Sequence, residues 1–294
     1  MKFKGLGTAI ITPFTAENTI DTAGLLKMLN YSADNGVNYF VINGTTGESA
    51  TTTQTEKAAI LAFAKANNPK NLPIMYGMGG NNTAEVIENI SNADLEGVDA
   101  ILSVCPYYVK PSQRGILEHF KAIADASPIP VLLYNVPGRT VASIAVETVV
   151  ELAKHKNIIG LKDASCSIET AMELQKKCSP DFILVSGDDN LVTAQLSLGY
   201  QGVISVISNG FPKEFSQLVW AGLNGDFKTA RDLQFRFLDF DNLLYVESNP
   251  VGIKAVAEIK GLCDGRVRLP LAKASDELMV KLKTSMVNEG FIQS

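Results

Sequence analysis

The sequence predicts an α/β protein built as a (β/α)8 TIM barrel with a C-terminal helical appendage. Two observations carry this. Between Gly5 and Gly225, short apolar strands alternate with amphipathic helices eight times, the size and rhythm of such a barrel. After Gly225 the strand signal stops and only helical patterns remain. A doubly wound sheet is the competing architecture, and eight even units fit it less well. The expected division is a catalytic barrel over 1–225 and a helical region over 226–294.

The elements follow in order. Leu6–Thr12 reads as the first strand, ended by Pro13, and Thr22–Asn35 as its helix, with Leu25, Leu26, Met28 and Leu29 on its apolar side and Gly36 as the stop. Tyr39–Ile42 and Thr55–Ala66 form the second unit, and Ile74–Tyr76 and Thr83–Leu95 the third. Ala100–Val104 and Gly115–Ala126 form the fourth, and Pro130–Tyr134 and Ile144–His155 the fifth. Ile158–Leu161 is strand six, a short apolar run of the kind that parallel sheets bury on both faces, followed by a helix over Ile168–Cys178. Phe182–Val185 with Asn190–Leu198, and Val203–Val206 with Pro212–Leu223, complete the eight; Pro212 suits a first helical turn. Asp226–Val246, Pro250–Ile259 and Ser275–Asn288 are the appended helices.

Composition narrows the function. With 46% hydrophobic and 19% charged residues, the chain is ordinary for a globular protein. A net charge of -5 gives no electrostatic reason to expect nucleic acid or an anionic membrane as partner. No apolar run approaches the ~18 residues of a spanning helix, and Met1-Lys2-Phe3-Lys4 is not followed by a signal-peptide core. Cys105, Cys166, Cys178 and Cys263 make no CxxC pair, and His119 and His155 are isolated, so no metal is indicated. His155 is expected near a helix C-terminus, where it complements the dipole. Reduced thiols place the expected compartment in the cytoplasm.

The chemistry is sought at the C-terminal ends of the strands, where barrels of this kind keep it. Strand six runs into Lys162. An amine emerging from a buried strand is desolvated, which disfavours its charged form and makes it a nucleophile toward carbonyls. The competing reading is a lysine that snorkels into solvent. Tyr134 ends strand five, Gly44-Thr45-Thr46-Gly47-Glu48 follows strand two, and Tyr107-Tyr108 follows strand four, so chain order turns all of them to the same mouth. The glycine loop offers backbone N–H donors to a small carboxylate, although Thr45 and Glu48 also have the spacing of a helix capping box. Tyr134 can exchange a proton beside an imine, or be a rim aromatic. Arg139 can clamp a carboxylate, or be a solvated loop arginine. Ser186-Gly187-Asp188-Asp189 follows strand seven, where barrels often bind phosphate; its two carboxylates disfavour a phosphorylated substrate.

Together Gly44-Thr45-Thr46-Gly47-Glu48, Tyr134-Asn135-Val136-Pro137-Gly138-Arg139-Thr140, Gly160-Leu161-Lys162-Asp163-Ala164 and Gly202-Val203-Ile204-Ser205-Val206 resemble the dihydrodipicolinate synthase family of pyruvate-dependent class I aldolases. The resemblance implies Lys162 as the Schiff-base lysine and Tyr134 as the proton shuttle. Thr45 and Tyr108 become its relay partners, Tyr108 from across a dimer interface. It assigns the pyruvate carboxylate to Thr46, the second substrate's carboxylate to Arg139, and the site lining to Gly187 and Ile204. It implies pyruvate and L-aspartate 4-semialdehyde as substrates, a step toward diaminopimelate and lysine, no cofactor, and commonly a homotetramer built as a dimer of dimers. N-acetylneuraminate lyases share the lysine and tyrosine, but typically carry a serine-threonine pair in the glycine loop and lack the arginine. Thr45-Thr46 and Arg139 favour the synthase; aldolases of 2-keto-3-deoxy acids are harder to exclude.

Ser49, Ala50, Asn81, Glu85 and Tyr107 match the family's allosteric lysine site, while Gln54 and Lys57 stand where histidines are often found. A cation at Lys57 opposes a cationic effector. Rate assays are therefore expected to show weak or absent inhibition by lysine, and strong inhibition at sub-millimolar lysine would overturn this reading.

Overall fold

A computed structural model describes residues 2–293. Eight parallel strands close into a barrel in sequence order, β1 to β8. The first four units are β1 (Gly5–Ala9), α1 (Thr22–Asp34), β2 (Tyr39–Ile42), α2 (Gln54–Ala66), β3 (Ile74–Gly77), α3 (Thr83–Asn92), β4 (Ala100–Val104) and α4 (Gln113–Ala126). Then come β5 (Val131–Asn135), α5 (Pro137–Thr140), α6 (Val146–Leu152), β6 (Ile158–Asp163), α7 (Ile168–Lys177), β7 (Ile183–Ser186), α8 (Val192–Ser197), β8 (Gly202–Ser205) and α9 (Pro212–Leu223). The chain ends in α10 (Phe227–Tyr245), α11 (Val251–Ile259) and α12 (Asp276–Asn288).

The expected architecture is present, with local corrections. The first strand leaves the ladder after Ala9, so Ile10–Thr12 lie outside it. Strand six runs through to Asp163, which puts Lys162 inside the sheet rather than beyond it. The fifth helix is shorter than expected and is preceded by the unforeseen α5, which Pro137 starts. Thr45 and Glu48 form no capping box: Thr45–Gly47 is a single 3-10 turn without a side-chain cap. The capping box belongs to Thr53 and Glu56, at the start of α2. His155 lies just past α6, where its Nδ1 accepts from the Asn157 N–H at 3.2 Å and its Nε2 meets Asp125 at 3.0 Å.

Strand alternation sorts the side chains into two cores. Tyr39, Val41, Met75, Leu102, Leu132, Val185 and Ile204 fill the barrel interior, whereas Phe40, Ile42, Leu133, Leu161 and Leu184 point outward to the helices. Gly160 marks how close the wall is, since a Cβ there would stand 2.3 Å from the Ile183 carbonyl oxygen. His119, in α4, belongs to the outer core; burial pulls its imidazole down to about 4, and Nδ1 pairs with Thr83 Oγ1 at 2.9 Å. The C-terminal helices are fastened to the barrel by aromatics. Phe211 meets Phe237, Phe240 and Phe291 at ring distances of 5.8, 5.1 and 4.6 Å. Each such pair contributes about 0.5–1.5 kcal/mol beyond its buried area.

A second fastening is polar. Asp189, after β7, accepts N–H bonds from Val206 and Ile207 at 2.8 Å each, tying the exits of β7 and β8 together. Gln234 of α10 donates to the Asp189 carbonyl at 2.8 Å. Asp241, also on α10, is buried and its Oδ1 has no hydrogen-bond partner. Burial, reinforced by the Asp189 and Asp188 carboxylates, pushes its carboxyl up to about 8. The folded chain thus keeps a proton there that the unfolded carboxyl releases near pH 4. Between about pH 4 and about 8 the folded state binds more protons, so this group lowers stability as pH rises. Asp241→Asn should flatten that slope and leave the protein more stable than wild type at pH 8. Urea unfolding across this pH range measures it, and an unchanged slope would refute the buried neutral acid.

Candidate active site

Lys162 and Tyr134 are register partners on the adjacent strands β6 and β5, so both side chains enter the barrel from the same end. Both are buried, and Lys162 Nζ stands 4.3 Å from the centroid of the Tyr134 ring, a cation–π contact. Asp163, the next residue, points the opposite way and accepts from the Tyr200 hydroxyl at 2.9 Å. Gly187 leaves the lysine its space: a Cβ there would lie 3.0 Å from Lys162 Cε. Ile204, on β8, is buried among the interior side chains.

The glycine loop lies across the mouth. Its 3-10 turn is closed by Gly47 N–H to Gly44 O and Glu48 N–H to Thr45 O, both 3.0 Å. The amides of Thr45 and Thr46 come first in this turn, where N–H groups have no partner within the helix and suit an anion. Thr12 Oγ1 donates to Gly47 O at 2.7 Å, anchoring the loop to the barrel. Thr46 is buried and its Oγ1 accepts from Asn249 Nδ2 at 3.1 Å. Glu48 is buried at φ 57, in the left-handed region. Its carboxylate pairs with Lys254 of α11 and accepts the Arg268 N–H at 2.9 Å.

One cleft of about 440 Å³ collects Thr45, Thr46, Tyr134, Arg139 and Lys162. The same cleft is also lined by Ser49, Ala50, Asn81, Glu85 and Tyr107, the residues matched to the effector site, and by Gln54 and Lys57, which depart from its pattern. Burial lowers the pKa of Lys57, with Glu85 acting against the shift. Asn81 Nδ2 donates to Tyr107 O at 3.2 Å. Arg139 is exposed on α5 at the cleft wall. Gly187, Ile204 and Tyr108 are not among the residues lining the cleft: Gly187 packs against the lysine side chain, Ile204 is buried in the barrel interior, and Tyr108 is 86% exposed at φ 72. Among the described residues no cluster of three or more His, Cys, Asp or Glu side chains is arranged to hold a metal, and no helix is long and apolar enough to cross a membrane.

Sequence reasoning missed Asn249 and Lys254. A signal was available for the second: Val251-Gly252-Ile253-Lys254-Ala255-Val256-Ala257 has a single charge within an otherwise apolar run, the signature of a buried, paired cation.

A closed (β/α)8 barrel with a buried amine beside a phenol at the catalytic face is the framework of amine-dependent aldol chemistry. The comparisons make this specific. The model of the Dihydrodipicolinate synthetase family matches residues 2–288, and the chain belongs to that family. It is 47% identical over 285 residues to the 4-hydroxy-tetrahydrodipicolinate synthase of Cytophaga hutchinsonii, covering 97% of this chain and 96% of that one. The crystal structure of dihydrodipicolinate synthase from Bacillus anthracis superimposes with a TM-score of 0.93 at 40% identity, covering 97% of this chain and 98% of that one. That of the chloride-inhibited Acinetobacter baumannii enzyme, complexed with pyruvate, does so with 0.94 at 36%, covering 98% and 99%.

Val141 follows the helix that carries Arg139 and sits at φ 59, 68% exposed. A β-branched residue in the left-handed region is strained by about 1–2 kcal/mol, and glycine relieves this while raising unfolded-state entropy. Val141→Gly is expected to raise stability by about 1 kcal/mol. A lower melting temperature in thermal unfolding would count against that account.

Proposed function

We propose that this chain condenses pyruvate with L-aspartate 4-semialdehyde through a Schiff base on Lys162, the first committed step toward diaminopimelate and lysine. The observation that carries the reading is the Lys162 amine, buried and 4.3 Å from the Tyr134 ring, beside a turn that opens with two amide donors. The pyruvate-complexed relative makes pyruvate the natural first substrate.

In this reading the Thr45 and Thr46 amides and the Thr46 hydroxyl take the pyruvate carboxylate. Lys162 Nζ attacks the C2 carbonyl, and the carbinolamine loses water to give the imine. Tyr134 supplies and takes back the protons, relayed by Thr45 and Tyr108. Loss of a C3 proton gives the enamine, which attacks the aldehyde carbon while Arg139 holds the second substrate's carboxylate. That substrate's amine then attacks the imine carbon, closes the ring and releases Lys162. The lysine is the electron sink, so no cofactor is required.

The chain divides into a catalytic barrel, 1–225, and a helical region, 226–294, with Met1 and Ser294 outside the described residues. The chain works as a homo-oligomer, a tetramer built of dimers. Tyr108 supports this, since its strained and exposed position on the rim suits a side chain that serves a neighbouring copy. Ser49, Ala50, Asn81, Glu85 and Tyr107 form an effector pocket in which Lys57 opposes a cationic ligand. The four free thiols support the cytoplasm as the compartment.

Borohydride with pyruvate should trap a covalent adduct at Lys162, located by peptide mass spectrometry. Lys162→Ala should abolish the adduct, and Tyr134→Phe should lower kcat by about 10²–10⁴-fold. Absence of the adduct, or turnover of N-acetylmannosamine in preference to aspartate semialdehyde, would overturn the reading.

A further inference from the structure

The reaction described uses side chains from the barrel alone, yet the loop that receives the carboxylate is gripped from the C-terminal region. Lys254 is fully buried. Its ammonium donates to Glu48 Oε1 and, at 2.7 Å, to Arg266 O, and stands 4.1 Å from the Phe14 ring centroid. The other Glu48 oxygen accepts the Arg268 N–H at 2.9 Å. Both oxygens of Glu48 are thus fixed by residues more than two hundred positions along the chain. Glu48 needs this grip, because a non-glycine residue at φ 57 persists only where its surroundings over-determine it. Its N–H, bonded to Thr45 O, closes the turn that aims the Thr45 and Thr46 amides.

We propose that Lys254 is a positioning residue for the carboxylate subsite: through Glu48 it holds the glycine loop in the orientation that binds pyruvate. The inference rests on the functional reading of the loop and Lys162 given above. The amine itself is placed by the sheet, and the second substrate's carboxylate by Arg139 on α5. Loosening the loop therefore weakens pyruvate binding while sparing the other substrate.

Lys254→Met leaves Glu48 buried and unpaired, and should melt well below wild type. The double variant Glu48→Met, Lys254→Met removes both charges, a replacement that is often neutral or stabilising for a buried pair. It should regain most of the melting temperature but keep a pyruvate KM about tenfold above wild type, with the aspartate semialdehyde KM unchanged and kcat within about threefold. A folded double variant with wild-type pyruvate KM would overturn the proposal, as would equal rises in both KM values, since either result makes the pair merely structural. Borohydride trapping on the wild type separates the two levels: no adduct refutes the functional reading as well, whereas an adduct with an unmoved pyruvate KM refutes only the role of Lys254.

Discussion

The buried ion pair between Lys254 and Glu48 is the constraint on which the mouth depends. A charge taken from water costs several kcal/mol unless it is paired and its remaining hydrogen-bonding capacity is used. Here the Arg266 carbonyl, the Arg268 amide and the face of Phe14 complete the set. Arg268 extends it, with its guanidinium 4.3 Å from the centroid of the same Phe14 ring and bound to Glu56, the N3 residue of the α2 capping box. One continuous network therefore joins the glycine loop, the start of α2 and the segment after α11. Removing a single member strands a charge, which costs more than the pair contributes.

The lysine and the tyrosine are positioned by a different and cheaper device. Alternation along a strand fixes which residues face the barrel interior, and register fixes which of them are neighbours. Tyr134 opposite Lys162 is a property of the β5–β6 ladder and needs no further support. What it does need is room. Gly160 lets β7 approach below the lysine, and Gly187 spares its Cε. The site thus combines a rigid sheet that holds the nucleophile with a loop that is held by distant charges.

This difference explains what could be read from the sequence. The eight units, the inward lysine and the tyrosine follow from local periodicity and chain order, which the sequence displays directly. Short-range spacing left two readings open at Thr45 and Glu48, because the same four-residue interval serves a capping box or a 3-10 turn. The Glu48 side chain was already committed to a partner 206 positions away. Lys254 carried only the hint of a charge in an apolar run, Val251–Ala257. Its partner, like that of Asn249, is set by tertiary packing that no local pattern encodes. The Pro137–Thr140 helix was hidden for another reason: four residues are too few to show a period.

The C-terminal region meets the barrel through two buried charge systems that answer pH in the same sense. Burial lowers the pKa of Lys254, with Glu48 opposing, so alkali removes the charge that Glu48 is paired with. Burial and the neighbouring carboxylates raise the pKa of Asp241, so alkali also creates a charge where none is paired. The barrel interior behind the mouth is filled mainly by apolar side chains, and the strand ladder itself is made of backbone hydrogen bonds, which do not titrate in this range. Rising pH therefore strains the seam between the C-terminal helices and the barrel before it strains the barrel itself. The glycine loop lies on that seam, so the carboxylate subsite is the part of the mouth most exposed to such loosening, while the lysine and tyrosine stay in register.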